Sequence, residues 1–125
     1  MAEGIAKRLV GSSAHVESAG VDAADGSPPT QEALSVMKEL GIDISGHLAR
    51  DVENMQLTNY DMLIAMTPSI ASQLSELGVD ASRIIRLQVD DPYGKGLVAY
   101  WKTAAKLAIA LPSILGLSER RRGPK

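Results

Sequence analysis

Cysteine and phenylalanine are both missing from this chain of 125 residues. Without cysteine the polypeptide has no disulfide framework, no thiolate metal site and no cysteine nucleophile. Aromatic residues make up only 3% of the chain, so the core has to be built from Leu, Ile, Val, Met and Ala. The hydrophobic content of 45% still suits one ordinary domain that buries a real core.

Long apolar runs and a bias in charge are missing as well. The 13 basic and 15 acidic residues are interspersed and give a net charge of −2, so composition offers no argument for a nucleic-acid or membrane partner. No stretch approaches the roughly 20 apolar residues of a membrane span, and no signal-peptide pattern opens the chain. We therefore expect a cytoplasmic protein without a metal or cofactor. The basic residues 118–125 are interpreted as a solvated tail.

Hydrophobic periodicity predicts helices and strands in alternation. Helices are predicted at 1–10, from Pro28-Pro29 to Leu40, weakly at 51–56, at 68–77 and from Leu97 to Pro112, and strands at 15–18, 62–66 and 83–87. This order predicts an α/β fold, a doubly wound parallel sheet with helices on both faces. Such a sheet normally begins with a strand, and here the first helix has none before it. The first strand is therefore expected to be missing.

The loop Asp90-Asp91-Pro92-Tyr93-Gly94 follows the last predicted strand. Chemistry in α/β sheets is concentrated at the carboxyl ends of parallel strands. Asp91 precedes a proline, which restricts its backbone to extended conformations, and a carboxyl group held in this way can act as a general acid. The alternative is an ordinary hydrophilic turn, since Asp, Pro and Gly all favour turns. Both interpretations are open on the residues alone.

Several motifs occur in an order that resembles a known family. They are Glu17-Ser18-Ala19-Gly20, Pro28-Pro29, the segments 41–50 (GIDISGHLAR) and 61–66 (DMLIAM), and Asp91-Pro92-Tyr93-Gly94. This order resembles the low-molecular-weight protein tyrosine phosphatases, a family that also includes protein arginine phosphatases and one type of arsenate reductase. The resemblance covers nearly the whole chain, and Met1-Ala2-Glu3 is similar to the start of the family's first helix. It implies a single truncated phosphatase-like domain over residues 1–117.

The resemblance also implies parts that these 125 residues do not contain. Family members begin with a strand and a Cys-x5-Arg loop, whose thiolate attacks phosphorus while loop N–H groups and the arginine hold the phosphoryl oxygens. The chain has no cysteine, so no phosphocysteine can form on it. We therefore expect the polypeptide as given to be catalytically inactive.

Four residues receive roles from the resemblance. Asp91 is the general acid, which protonates the leaving group and then activates water, and Tyr93 forms a wall of the substrate cleft. Ser18 and His47 match positions that hydrogen-bond to the phosphate loop, and we expect them to lose that partner here. Without the resemblance, His47 is interpreted as a packing residue, and Ser18 is interpreted as the end of a strand.

The expected partner is a phosphorylated protein or a phosphate-type anion. Residues 21–26 contain no aromatic side chain, and one tyrosine instead of two follows Pro92, which puts stacking on phosphotyrosine in doubt. Ala65-Met66-Thr67 is more similar to the protein arginine phosphatases. Arsenate reduction in this family needs additional downstream cysteines, which this chain lacks, so it is not expected.

Three hypotheses follow. The first is a family phosphatase shortened by an internal methionine start or by truncation, which the upstream reading frame would test. The second is a pseudophosphatase that binds a partner or an anion without turnover. The third is an interaction module that forms homodimers through the sheet edges that a missing strand leaves open.

Overall fold

The computed structural model describes residues 1–21 and 24–116. In this part of the chain the order of elements is α1 (Ala2–Val10), α2 (Gln31–Glu39), β1 (Leu63–Ala65), α3 (Pro68–Glu76), β2 (Ile84–Arg86) and α4 (Leu97–Ile114). Short 3-10 helices lie at Val52–Asn54, Leu57–Asn59 and Ala81–Arg83. The residues form two compact units: residues 1–18, 28–48 and 92 onward make the first, and residues 19–27 and 49–91 make the second.

The first unit is a packing of helices, in which α1 and α2 both contact α4. The buried side chains of α4 recur at intervals of three and four residues, the spacing of one helical face: Tyr100, Ala104, Leu107 and Leu111. From α2, Ala33 and Val36 join Tyr100 and Ala104 in one core cluster. Aliphatic and small side chains therefore supply nearly all of this core, as the lack of phenylalanine predicts.

Local interactions fix both ends of α2. The hydroxyl oxygen of Thr30 accepts a hydrogen bond from the Ala33 N–H at 3.2 Å, which caps the amino end. At the other end Gly41 takes a φ of +77°, a conformation that glycine adopts without strain. The guanidinium group of Arg8 donates to the Leu40 carbonyl at 2.7 Å. One carbonyl at the end of α2 is thus satisfied by a side chain of α1.

The second unit is built on two parallel strands joined by a helical crossover. Leu63 of β1 pairs with Ile84 of β2, and the next two residues of each strand continue the register. The connecting helix α3 contacts both strands. The unit has its own core of buried side chains: Val52, Ala65, Ala71, Leu74 and Val79. A parallel pair with a helix between its strands is the basic unit of α/β folds, so the predicted class is confirmed.

The sequence predicted the start of α3 correctly. Thr67 accepts a hydrogen bond from the Ile70 N–H at 3.2 Å, and Pro68 occupies the first turn. A proline costs little there because its missing N–H would have no intrahelical partner.

Other boundaries differ from the prediction. Residues 15–18 form no strand, because a strand requires a backbone partner, which hydrophobic pattern cannot reveal. The range 51–56, predicted as a weak helix, contains one short 3-10 helix, Val52–Asn54. Thr30 caps α2, so Pro28-Pro29 precede the helix instead of opening it. Helix α4 continues through Pro112 to Ile114, with Leu111 buried just before the proline. The predicted tail, 118–125, and the predicted domain end at 117 lie outside the described residues.

Candidate functional site

Ser18 and His47 converge on a third side chain, that of Glu3. The Ser18 hydroxyl donates to Glu3 Oε1 at 2.6 Å, and His47 Nδ1 lies 3.7 Å from Glu3 Oε2, within ion-pair distance when the imidazole is protonated. Lys7 Nζ contacts the same Oε2 at 2.8 Å from one helical turn further along α1. We call these four side chains the Glu3 cluster. All four belong to the first unit.

The Glu3 carboxylate is well shielded, with 11% of its side chain exposed. Burial by itself raises the pKa of this group, but hydrogen bonds from Lys7 and Ser18, and the charges of His47 and Lys7, together outweigh burial. The net result is a pKa below the ordinary value for glutamate. Glu3 is therefore ionised at neutral pH and remains an acceptor for all its neighbours.

The arrangement of donors decides what chemistry the Glu3 cluster can perform. In a serine-histidine-carboxylate triad the serine contacts the histidine, which takes its proton. Here, among the described residues, Ser18 donates to the carboxylate itself and His47 faces the same carboxylate. A serine hydroxyl engaged in this way is not activated as a nucleophile. The cluster therefore suits a supporting role, in which Glu3 fixes the orientation of both side chains.

The expected loss of the phosphate-loop partner stays a prediction, but Ser18 and His47 are not left without a contact, because both face Glu3. The contacts with Glu3 were not predicted from the sequence. An acidic residue in the first turn of a helix, four residues before Lys7, is a detectable signal for an intrahelical pair. Ser18 and His47 lie 15 and 44 positions further along the chain than Glu3, and no sequence signal predicts their contacts with it.

The other two candidate residues lie in the loop between β2 and α4. Asp91 is exposed and follows β2, as predicted, and it is the last residue of the second unit. Tyr93 belongs to the first unit and leaves 71% of its surface exposed. The sequence predicted that Asp91 follows the carboxyl end of a parallel strand. The loop after β2 has this position, so that part of the prediction is correct. Its role stays a prediction.

Two further properties concern the described residues as a set. Within 1–21 and 24–116, no group of three or more His, Cys, Asp or Glu side chains could hold a metal ion. None of the helices α1 to α4 is long and apolar enough to cross a membrane.

A parallel βαβ unit, followed by an aspartate-proline loop at the carboxyl end of its second strand, defines an α/β protein with a candidate site at the strand ends. The family model for low molecular weight phosphotyrosine protein phosphatases matches residues 1–120. The chain belongs to this family.

Known proteins of similar sequence include phosphatases and arsenate reductases. The low molecular weight protein tyrosine phosphatase from T. tengcongensis is 34% identical, with a TM-score of 0.82 over 91% of this chain and 86% of its own. A curated relative, the glutaredoxin arsenate reductase of Synechocystis sp., is 32% identical over 80% of this chain and 73% of its own length. The YwlE arginine phosphatase from Geobacillus stearothermophilus, 21% identical, shares the fold with a TM-score of 0.83 over 99% of this chain and 88% of its own.

Proposed function

We propose that these 125 residues provide the general acid and the supporting framework of a phosphatase that acts on phosphorylated proteins. The observation that carries the proposal is Asp91-Pro92, which follows a parallel strand in a chain that belongs to a phosphatase family. A carboxyl group in this position can donate a proton to the leaving oxygen or nitrogen of a phosphorylated side chain and then accept one from water. The proposed role of Tyr93, which is largely exposed, is contact with the substrate.

The nucleophile is the part that this polypeptide does not supply. In the mechanism of the resembled family, the phosphoryl group passes through a covalent phosphocysteine. The 125 residues contain no cysteine. We therefore propose that the polypeptide by itself has no phosphatase turnover. A cytoplasmic location is part of the proposal, since the thiolate that a complete enzyme of this family would use needs a reducing compartment.

The Glu3 cluster would serve the phosphate-binding loop of a complete enzyme. Phosphoryl transfer depends strongly on hydrogen-bond donors held in fixed positions around the phosphoryl oxygens. The hydroxyl of Ser18 and the imidazole of His47 are both oriented by one ionised carboxylate. We propose that they hold such a loop in shape and take no part in proton transfer.

Hydrolysis of p-nitrophenyl phosphate tests the two central points. The 125-residue chain is expected to show no rate above background. The same chain, extended before Met1 by a strand and a Cys-x5-Arg loop, is expected to hydrolyse the ester. In the extended chain Asp91→Asn should lower kcat about 100-fold or more, the usual scale of general acid catalysis. Asp90→Asn, one residue earlier and also exposed, is the matched control and should leave kcat nearly unchanged.

Three results would contradict the proposal. Turnover by the unextended chain that vanished in Asp91→Asn would require a mechanism without cysteine. Equal losses in Asp90→Asn and Asp91→Asn in the extended chain would remove the specific role of Asp91. An extended chain that bound phosphate but showed no turnover would contradict the supporting framework as well.

A second candidate function is recognition of a phosphate-type anion without turnover. It is favoured by the combination of a retained Asp91 loop with the absence of cysteine from the 125 residues. Calorimetry with inorganic phosphate, phosphotyrosine and phosphoarginine tests it on the unextended chain. Absence of heat at millimolar concentrations of all three would eliminate it, and a preference between the last two would indicate the substrate class.

A third candidate function is association with a second copy of the chain through the edges of the sheet. Within the described residues it has two strands, β1 and β2, so each strand has one edge that no other strand pairs. Edges of this kind accept a strand from another chain. Sedimentation analysis is expected to show a concentration-dependent homodimer if the edges pair. A monomer at all concentrations would rule out this module.

A further inference from the structure

Helix α4 exposes a face opposite the one that packs in the core of the first unit. Val98, Lys102, Ala105 and Ile109 share one side of the helix at three- and four-residue spacing, and all four are exposed. Val98 leaves 67% and Ile109 79% of its surface exposed, which is unusual for large aliphatic side chains. We call this surface the α4 outer face; it comprises Val98, Trp101, Lys102, Ala105, Lys106 and Ile109.

The sequence segment that contains α4 differs sharply in charge from the rest of the chain. Residues 92–125 hold seven of the 13 basic residues and one of the 15 acidic ones, a formal charge of +6. Residues 1–91 carry −8. From Pro92 to Gly116 there are three lysines and no acidic residue. The net charge of −2, which argued against an anionic partner, is therefore an average over two segments of opposite sign.

We propose that the α4 outer face binds the surface of a bilayer that contains anionic phospholipid. A face with both cationic and apolar side chains matches an interface that offers anionic headgroups above an acyl region. Lys102 and Lys106 can extend their ammonium groups to the headgroups while their stems follow the apolar surface. Trp101 has the amphipathic ring that is enriched at this depth. The face runs about 16 Å from Val98 to Ile109, enough to lie along the membrane plane.

The apolar side chains favour lipid over other anions. Purely polar polyanions, such as a nucleic acid backbone or poly-glutamate, would satisfy the lysines but would leave Val98 and Ile109 in water. The convex side of a helix also needs a flat or concave partner, and a bilayer surface is flat on this scale. Because charges are screened beyond about 10 Å, attraction depends on the local lysines and not on the net charge of −2. The proposal is independent of phosphatase activity.

Binding to vesicles tests the proposal on the full 125-residue chain. Vesicles of phosphatidylcholine alone are compared with vesicles in which a quarter of the lipid is phosphatidylglycerol, by co-sedimentation and by tryptophan emission. Trp101 is the single tryptophan of the chain and lies on the α4 outer face, so its emission reports this surface. We expect binding and a blue shift with the anionic vesicles only, both weakened by added salt.

Matched variants separate this face from general charge and hydrophobicity. Lys102→Glu should lower the partition coefficient roughly tenfold or more, because each lysine near an anionic surface contributes to binding. Lys38→Glu makes the same charge change on the exposed side of α2 and should have an effect of about twofold at most. Ile109→Ser should lower partitioning about fivefold or more. Leu77→Ser, which replaces an exposed leucine at the carboxyl end of α3, should leave partitioning to the vesicles unchanged.

Several outcomes would overturn the proposal. They are no binding, equal binding to neutral vesicles, and a loss in Lys38→Glu that equals the loss in Lys102→Glu. If replacement of Arg120, Arg121 and Arg122 by Gln abolished binding while Lys102→Glu and Ile109→Ser did not, the tail and not the helix would be responsible. If soluble poly-glutamate displaced the protein and Ile109→Ser had no effect, the partner would be an acidic polypeptide.

Discussion

One carboxylate organises the amino-terminal part of the first unit. Glu3 accepts a hydrogen bond from Ser18, contacts Lys7 of its own helix and faces His47. Two segments distant from α1 in the sequence therefore meet it at a single residue. Its place in the first turn of α1 adds a favourable interaction with the positive end of the helix dipole. The cost of burying this charge is offset only while these donors remain in place. Glu3 should therefore matter to stability as well as to the orientation of Ser18 and His47.

The stability that Glu3 contributes should depend on pH. Burial raises its pKa, but its hydrogen bonds and the neighbouring positive charges lower it more, so the folded-state pKa lies below the ordinary 4.5. A carboxyl group of this kind stabilises the fold fully above its unfolded pKa and loses that effect as pH falls through the folded pKa. We expect Glu3→Gln to lower the free energy of unfolding by about 1 kcal/mol at pH 7, because charge-assisted hydrogen bonds are lost.

Urea unfolding at a series of pH values from neutral to below the folded pKa measures this difference. The gap between wild type and Glu3→Gln should close as the pH falls below about 4.5 and the native carboxyl group becomes protonated. Glu39→Gln removes an exposed carboxylate of α2 and serves as the control, with little effect at any pH. A gap that persisted unchanged at low pH would show that packing, not charge, explains the loss.

At the scale of elements, two nine-residue helices begin in the same way but in different surroundings. Thr30 caps α2 and Thr67 caps α3, each by accepting a backbone N–H at 3.2 Å. Thr30 has a second function, because its hydroxyl donates to the Tyr100 hydroxyl of α4 at 3.0 Å. Tyr100 is buried, so this bond joins two helices where water is excluded. The two threonines therefore allow a comparison between a residue that only caps a helix, Thr67, and one that caps a helix and also hydrogen-bonds to another helix, Thr30.

Replacement of the two threonines should therefore have unequal costs. Thr67→Ala removes a cap and is expected to cost about 1 kcal/mol. Thr30→Ala removes a cap and also leaves the buried Tyr100 hydroxyl without its donor, so we expect about 2–3 kcal/mol. Chemical unfolding of both variants measures the difference. Thr30→Ser keeps the hydroxyl and should recover most of the loss, whereas equal costs for the two alanine variants would contradict a role for the bond to Tyr100.

Elements defined by local pattern were predictable, and those defined by distant partners were not. The start of α4 at Leu97 and the capped start of α3 at Thr67-Pro68 follow from periodicity and capping rules that involve neighbouring residues. The predicted strand at 15–18 required a partner strand, and the site required the contact of Ser18 and His47 with Glu3. Each depends on residues far apart in the chain, for which one sequence contains no signal.

For the molecule as a whole, the overall charge and the local charge differ. Composition gives a nearly balanced chain, yet the sequence separates into a segment of −8 before residue 92 and one of +6 from there on. Two of the basic residues of the second segment, Lys102 and Lys106, lie on the outer side of one helix. An average charge describes the field far from a protein, whereas contacts are governed by charges within about 10 Å. Binding to charged surfaces should therefore follow α4 and not the net charge.

Ion-exchange chromatography offers a direct measure of this separation. At pH 7, above the sequence pI of about 5.6, a uniformly charged acidic protein would pass through a cation-exchange resin. We expect this chain to be retained at about 0.1 M salt, because a screening length of about 10 Å lets local positive charge govern adsorption. Lys102→Glu should elute clearly earlier and Lys38→Glu, with the same change in net charge, nearly unchanged. Flow-through of the wild-type chain, or equal shifts in the two variants, would mean that α4 does not present a separate positive surface.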